Sequence, residues 1–93
     1  MKVNFNQSFK DFRGNDIGIL ISDEVGKLLF NVSTSGNNPL NADEKYMAYK
    51  LCSRICNGSE VELSSEEAAF IVKLCGEHLT AGGYGQIKDL IDK

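Results

Sequence analysis

The segment that most constrains the fold is Ser64 to Glu67, together with the apolar residues that follow it. The Ser64 hydroxyl can accept a hydrogen bond from the Glu67 amide, and the Glu67 carboxylate can accept one from the Ser64 amide. This is the capping-box pattern, which places the start of a helix at residue 65. The helix over residues 65–79 is apolar around most of its circumference, and such a helix is normally covered on several sides. We therefore predict that it lies at the centre of the fold.

A second capping box precedes the middle of the chain. Asn41 is the predicted cap, and Glu44 is the residue that returns the hydrogen bond. Asn57 and Gly58 then supply the usual signal for a helix end. Helical spacing places a set of apolar residues on one face of this predicted helix: Met47, Ala48, Leu51, Cys52 and Ile55.

Residues 22–33 allow two interpretations. As a helix, the segment begins at Ser22 as cap, and acidic residues in its first turn favour the positive end of the helix dipole. As a strand, residues 27–33 would return from a turn at residues 23–26. The helical interpretation is favoured because the cap agrees with an apolar stripe of period 3.6, formed by Ile21, Val25, Leu28, Leu29 and Val32.

The N-terminal residues predict a β-hairpin. Residues 2–5 alternate polar and apolar side chains, and residues 13–16 form a strong turn signal because Gly and Asn tolerate positive φ. We expect residues 17–21 to pair back onto residues 2–5. Near the other end, residues 81–83 are expected to break the central helix and to precede a last amphipathic helix.

These elements predict one domain of the α+β class over residues 1–93. A chain of 93 residues has room for one hydrophobic core and not for two. The predicted architecture is an N-terminal β-hairpin packed on three to four short helices, with the helix over residues 65–79 central.

Charge and hydropathy limit the possible functions. A net charge of −3 argues against sequence-independent binding of nucleic acid, which needs a basic surface. No apolar stretch has the length of a transmembrane helix, and the first residues do not resemble a signal peptide. We expect an intracellular protein without membrane contact, whose three cysteines are reduced.

The helix that follows Asn41 offers a candidate protein-binding surface. Tyr46 and Tyr49 fall opposite its apolar stripe, and Lys50 lies beside them. Amphipathic aromatic residues with neighbouring cations are typical anchors of protein interfaces. The alternative is that the hairpin or the loop before Asn41 covers both rings, because large aromatic residues are mostly buried.

Two further groups of residues are weaker candidates for a ligand site. Cys52, Cys56, Cys75 and His78 can supply four zinc ligands, but cysteines on apolar stripes also behave as small hydrophobic residues. The glycine-rich segment 81–85 begins a helix, where anions can bind, but it lacks the P-loop pattern. The single histidine has no assignable catalytic partner, so we expect no enzymatic activity, no cofactor and no metal.

Several short pieces of the chain together resemble a group of small proteins encoded by tailed bacteriophages and prophages. The resemblance spans nearly the whole chain, apart from residues 30–40. It implies an origin in a phage or prophage and a cytoplasmic location in the bacterial host, but no established activity. The pieces are residues 3–5, 11–15, 43–45, 61–67 and 84–91.

Taken together, these features favour a non-enzymatic protein that acts by binding another protein or a second copy of itself. Small acidic phage proteins without catalytic motifs act mainly in virion assembly or as inhibitors of host proteins. The contact residues would be Tyr46, Tyr49 and Lys50. The alternative is a module that binds a small ligand or a metal ion through residues 81–85 or through the cysteine–histidine set.

Overall fold

A computed structural model describes residues 1–58 and 60–92, in which four helices accompany short antiparallel strand pairs. The architecture is α+β, as predicted from the sequence. The strands are β1 (Lys2–Val3), β2 (Ser8–Lys10), β3 (Asp16–Leu20), β4 (Thr34–Ser35), β5 (Asn38–Pro39) and β6 (Val61–Glu62). The helices are α1 (Ile21–Asn31), α2 (Ala42–Asn57), α3 (Ser65–His78) and α4 (Ala81–Asp92).

Both predicted capping boxes are confirmed. The Glu67 amide donates to Ser64 Oγ over 3.1 Å, and the Ser64 amide donates to Glu67 Oε1 over 2.8 Å. At α2, the Glu44 amide donates to Asn41 Oδ1 over 2.8 Å, and the Asn41 amide donates to Glu44 Oε1 over 3.0 Å. Each box gives partners to amide groups that the first turn of a helix leaves without intrahelical acceptors.

The favoured helical interpretation of residues 22–33 is confirmed by α1, but its start differs from the prediction. Ser22 is buried inside the first turn and is not the cap, and the residue before the helix makes no capping hydrogen bond with its side chain. Instead, the Ile21 amide donates to the Gln7 carbonyl over 2.8 Å, and the Ser22 amide donates to the Phe5 carbonyl over 2.9 Å. The acceptors for the first amides of α1 are therefore carbonyl groups of an extended backbone segment, and not the Ser22 side chain that the sequence predicted.

An N-terminal hairpin is present, but its predicted strand pairing is wrong. β2 pairs with β3, with Ser8 opposite Leu20 and Lys10 opposite Asp16. The register shifts between these two pairs, and Gly18 inside the irregular stretch has a φ of 75°, which favours glycine.

The first strand pairs with a distant part of the chain. β1 lies antiparallel to β6, with Val3 opposite Val61. The pairing continues at the chain start, where the Met1 ammonium donates to the Leu63 carbonyl over 2.8 Å and the Leu63 amide donates to the Met1 carbonyl over 2.7 Å. Val3, Val61 and Leu63 are buried, so this arrangement places the apolar residues of both segments in the core.

The hydrophobic core collects side chains from all four helices and from the extended N-terminal segment. Helix α3 contributes Ile71, Leu74 and Cys75, none of which is accessible to solvent. Phe70 and Val72 pack against the core from the flanks of the same helix. The remaining fully buried large side chains are Phe5, Val25, Leu29, Leu51, Ile55, Leu63 and Ile87.

The chain turns between α3 and α4 earlier than predicted. Residues 81–83 do not break a helix but form the first turn of α4, and the turn lies at Leu79 and Thr80. The Gly83 amide donates to Thr80 Oγ1 over 3.2 Å, and the Tyr84 amide donates to the Thr80 carbonyl over 2.8 Å. This threonine cap starts the helix in spite of the low helix propensity of the glycines.

The capping box of α3 predicts a measurable loss of stability in Ser64→Ala. Removal of the hydroxyl leaves the Glu67 amide without its acceptor, and the free energy of unfolding should fall by about 1 kcal/mol. Urea denaturation followed by circular dichroism measures the change. Ser65→Ala is the matched control, because Ser65 lies inside the first turn and is not the N-cap residue. An equal loss of stability in both variants would contradict the assignment of Ser64 as the cap.

The same box predicts a contribution to stability that depends on pH. Hydrogen bonding to the Ser64 amide, and then to the Arg54 guanidinium at 2.7 Å, lowers the pKa of Glu67 from 4.5. A lowered folded-state pKa means that the stabilisation is present above 4.5 and is lost as the pH falls through the folded-state value. Glu67→Gln should therefore flatten the acid dependence of the urea midpoint, and a curve parallel to that of the wild type would contradict this.

Candidate functional site

Three exposed aromatic rings form a cluster where α1 and α2 pack together. Phe30 of α1 lies beside Tyr49 of α2, with ring centroids 6.4 Å apart. Tyr49 in turn stacks on Tyr46, again at 6.4 Å, with an angle of 19° between the ring planes. The residues are 65% (Phe30), 56% (Tyr49) and 62% (Tyr46) exposed. Together with Lys50 they are called the aromatic surface below.

The helical context explains why these rings point outward. The apolar residues Leu51 and Ile55 hold α2 on the core, and Tyr46 and Tyr49 fall on the opposite side. On α1, Leu29 is buried, and Phe30 is turned by about 100° from it. The exposure contradicts the alternative that the hairpin or the preceding loop covers the two tyrosines.

Lysines border the aromatic surface. Lys50 Nζ lies 5.2 Å from the centroid of the Tyr46 ring, which is within cation–π distance. Lys27 precedes Phe30 by one turn of α1, and Lys45 precedes Tyr49 by one turn of α2; both are exposed. Lys27 also forms an ion pair of 3.7 Å with Glu24. The surface thus combines rings with cations, although the chain has a net charge of −3.

The structure brings together Tyr46, Tyr49 and Lys50, which the sequence singled out, and it adds Phe30. Phe30 was not among the predicted contact residues, because only the apolar stripe of residues 22–33 was assigned a role. A signal was present, since Phe30 lies outside that stripe when the segment is read as a helix. Its proximity to Tyr49 depends on how α1 packs against α2, which local periodicity does not give.

The four candidate zinc ligands do not form one group. Cys75 is completely buried in the core, where burial raises the pKa of its thiol to about 12. His78 is exposed and its Nε2 lies 3.2 Å from the Thr34 carbonyl oxygen. Cys52 and Cys56 lie on α2 and face α1. Within residues 1–58 and 60–92, no three cysteine, histidine or carboxylate side chains are arranged to hold a metal ion.

The glycine-rich segment 81–85 has a structural explanation. The amides of Gly83 and Tyr84 donate to Thr80, and Gln86 joins the helix to the hairpin. The Lys10 amide donates to Gln86 Oε1 over 2.8 Å, and Gln86 Nε2 donates to the Lys10 carbonyl over 3.0 Å. A groove of about 380 Å³ lies nearby, lined by both polar and apolar residues that include Ile17, Ile19 and Leu79.

Comparison with known proteins gives no further assignment. No protein-family model, curated protein or solved structure matches the chain. In the part of the chain that the structure describes, no helix combines the length and the apolar character needed to cross a membrane.

The exposure of the two tyrosines predicts that they are dispensable for folding. The double variant Tyr46→Ala/Tyr49→Ala should change the free energy of unfolding by about 0.5 kcal/mol or less per substitution, as is usual at surface positions. Leu51→Ala, on the buried side of the same helix, should cost about 2–5 kcal/mol. Urea denaturation of the three proteins checks the contrast, and unfolding of the tyrosine variant would show that the rings belong to the core.

Proposed function

We propose that this chain is a non-enzymatic protein that binds another protein through the aromatic surface. The observation that supports the proposal is the contact of three exposed rings, from two helices, next to Lys50. Contiguous apolar patches on a small domain frequently mark interaction sites, whereas scattered exposed apolar residues do not. Phe30, Tyr46 and Tyr49 are contiguous, because each ring contacts the next one.

The energetics favour binding by the rings rather than by the charges. A tyrosine packed at the centre of an interface can contribute about 2 kcal/mol or more, whereas exposed charge pairs at a rim contribute about 0–1 kcal/mol. Tyr46 and Tyr49 already stack on one another in the free chain. Less side-chain entropy is therefore lost on binding than for two rings that move independently.

The lysines indicate the chemistry of the partner. Lys27, Lys45 and Lys50 around the rings would face carboxylates on a complementary surface, which raises the association rate and the specificity. A symmetric contact between two copies would bring this patch against itself and would concentrate the lysines of both copies in one interface. We therefore infer a partner with an apolar or aromatic centre and an acidic rim, in preference to a second copy of this chain.

The resemblance to small phage and prophage proteins adds an origin to the proposal. In that setting the protein would act in the cytoplasm of the bacterial host, either in virion assembly or as an inhibitor of a host protein. Both roles use the same binding surface and differ in the source of the partner. A partner encoded beside this chain favours assembly, whereas a host protein favours inhibition.

Site-specific photo-crosslinking tests the proposed surface. A benzoylphenylalanine at position 49 should crosslink to one partner in a lysate of cells that encode the protein, because the Tyr49 ring lies at the centre of the cluster. The same probe at position 12 is the control, since Phe12 is 92% exposed but lies at the turn of the hairpin. Crosslinking from position 12 alone would contradict the proposal.

The purified partner then allows a quantitative test. Tyr46→Ala/Tyr49→Ala should weaken its affinity by at least about 30-fold, which corresponds to 2 kcal/mol, while Phe12→Ala should leave it unchanged. Isothermal titration calorimetry measures both constants. Equal affinity of the tyrosine variant and the wild type would exclude the aromatic surface as the binding site.

A further inference from the structure

Two thiols of α2 converge on a single glycine of α1. Cys52 and Cys56 are four residues apart and therefore share one side of the helix. A Cβ atom at position 26 would overlap Cys56 Sγ and would lie 4.0 Å from Cys52 Sγ. The absence of a side chain at Gly26 thus leaves the space that the Cys56 sulfur occupies, and the Cys52 sulfur lies beside that space.

This pair of thiols is accessible from solvent. It lies in a groove of about 610 Å³ between α1 and α2, with Ile19 and Phe30 among the apolar residues of its wall. Cys56 is exposed and Cys52 is partly buried, in contrast to the completely buried Cys75. The Cys56 thiol donates a weak hydrogen bond to the Ser22 carbonyl oxygen over 3.9 Å. The groove therefore admits a small ion to both sulfur atoms.

We propose that Cys52 and Cys56 form a two-coordinate site for a soft monovalent metal ion, with Cu(I) as the best match. Thiolate ligands select Cu(I) over hard cations, and Cu(I) accepts two sulfur ligands. Zinc needs four ligands, and no third cysteine, histidine or carboxylate completes a cluster with these two among the described residues. The site is independent of the proposed function, because neither thiol belongs to the aromatic surface.

The binding step is a simple exchange of protons for metal. Each thiol loses one proton, and Cu(I) with two thiols gives a bis-thiolate complex of charge −1 and two released protons. No oxidation state changes. Asp23 and Glu24 line the groove and add negative charge near its mouth, and Lys27 lies between them and Phe30 along α1. The lining carries charges of both signs, so selectivity for a soft ion comes from the sulfur atoms.

The packing of α1 on α2 fixes the positions of the two cysteine side chains, which helical spacing alone does not do. Cys52 and Cys56 face the same point because Gly26 allows α1 to approach closely there. Both sulfur atoms lie within 4.0 Å of the Cβ position of residue 26 before any ion binds, so little side-chain entropy is lost on binding. A chain in which the thiols rotate freely lacks this advantage.

Competition between the protein and bicinchoninate for Cu(I), under anaerobic conditions, tests the proposal. The wild type should bind one Cu(I), and Cys52→Ser and Cys56→Ser should each weaken binding by about 100-fold, because the second thiol acts as an intramolecular ligand. Cys75→Ala should leave the affinity unchanged, since that thiol is inside the core. Equal affinity of the wild type and the single serine variants would overturn the proposal.

Gly26→Ala tests whether the Cu(I) affinity depends on the positions of the two thiols or only on their presence. It retains both cysteines, but its methyl group takes the space that Cys56 Sγ occupies, and the Cys56 side chain must rotate away. Circular dichroism checks that the variant is folded. Its Cu(I) affinity should fall towards that of Cys56→Ser. Unchanged affinity in Gly26→Ala, or equal affinity of the native chain and the urea-unfolded chain, would show that the fold builds no site.

Discussion

The first seven residues form backbone hydrogen bonds with the start of α1 and with the segment just before the cap of α3. Met1 exchanges hydrogen bonds with Leu63, immediately before the cap of α3, and the carbonyl groups of Phe5 and Gln7 accept from the first amides of α1. The first turn of a helix always leaves amides that need acceptors, and α1 has no side chain that supplies one. The phenyl ring of Phe5 is completely buried, so the segment that satisfies these amides is itself anchored in the core. The position of α1, and with it the groove and the aromatic surface, depends on this segment.

Local signals predicted the helices well. They failed where the interacting partner of a segment lies far away in the sequence. A capping box and a 3.6-residue stripe are properties of a few neighbouring residues, so α2 and α3 began where the sequence placed them. The alternation in residues 2–5 shows that this stretch is extended, but it does not say which strand it joins. Its true partner, Val61–Glu62, lies about sixty residues away and carries no turn signal that connects the two. The same limit explains the start of α1, whose amide acceptors come from outside the helix.

The candidate sites likewise contain residues that local periodicity predicts and residues whose contacts depend on helix packing. Tyr46, Tyr49 and Lys50 share the outer side of one helix, which helical periodicity alone establishes. Phe30 joins them only because α1 runs antiparallel to α2, and the sequence contains no local sign of that contact. The cysteine–histidine set shows the opposite failure. Helical spacing correctly placed Cys52 beside Cys56. Whether Cys75 lies near them depends on which side of α3 faces the core. Cys75 is on the side that faces the core and is completely buried.

Gly26 lies at the close approach of α1 to α2. A glycine inside a helix costs about 1 kcal/mol relative to alanine, so its presence in the middle of α1 calls for a compensating contact. The contact is the close approach of the Cys56 sulfur, which a side chain at position 26 would displace. One turn further along α1, Phe30 meets Tyr49, which lies one turn before Cys52 on the antiparallel helix. The thiol pair and the aromatic surface are therefore adjacent regions of one helix–helix contact. Their chemistry differs, since one depends on two sulfur atoms and the other on three rings, and a change confined to either region leaves the groups of the other in place.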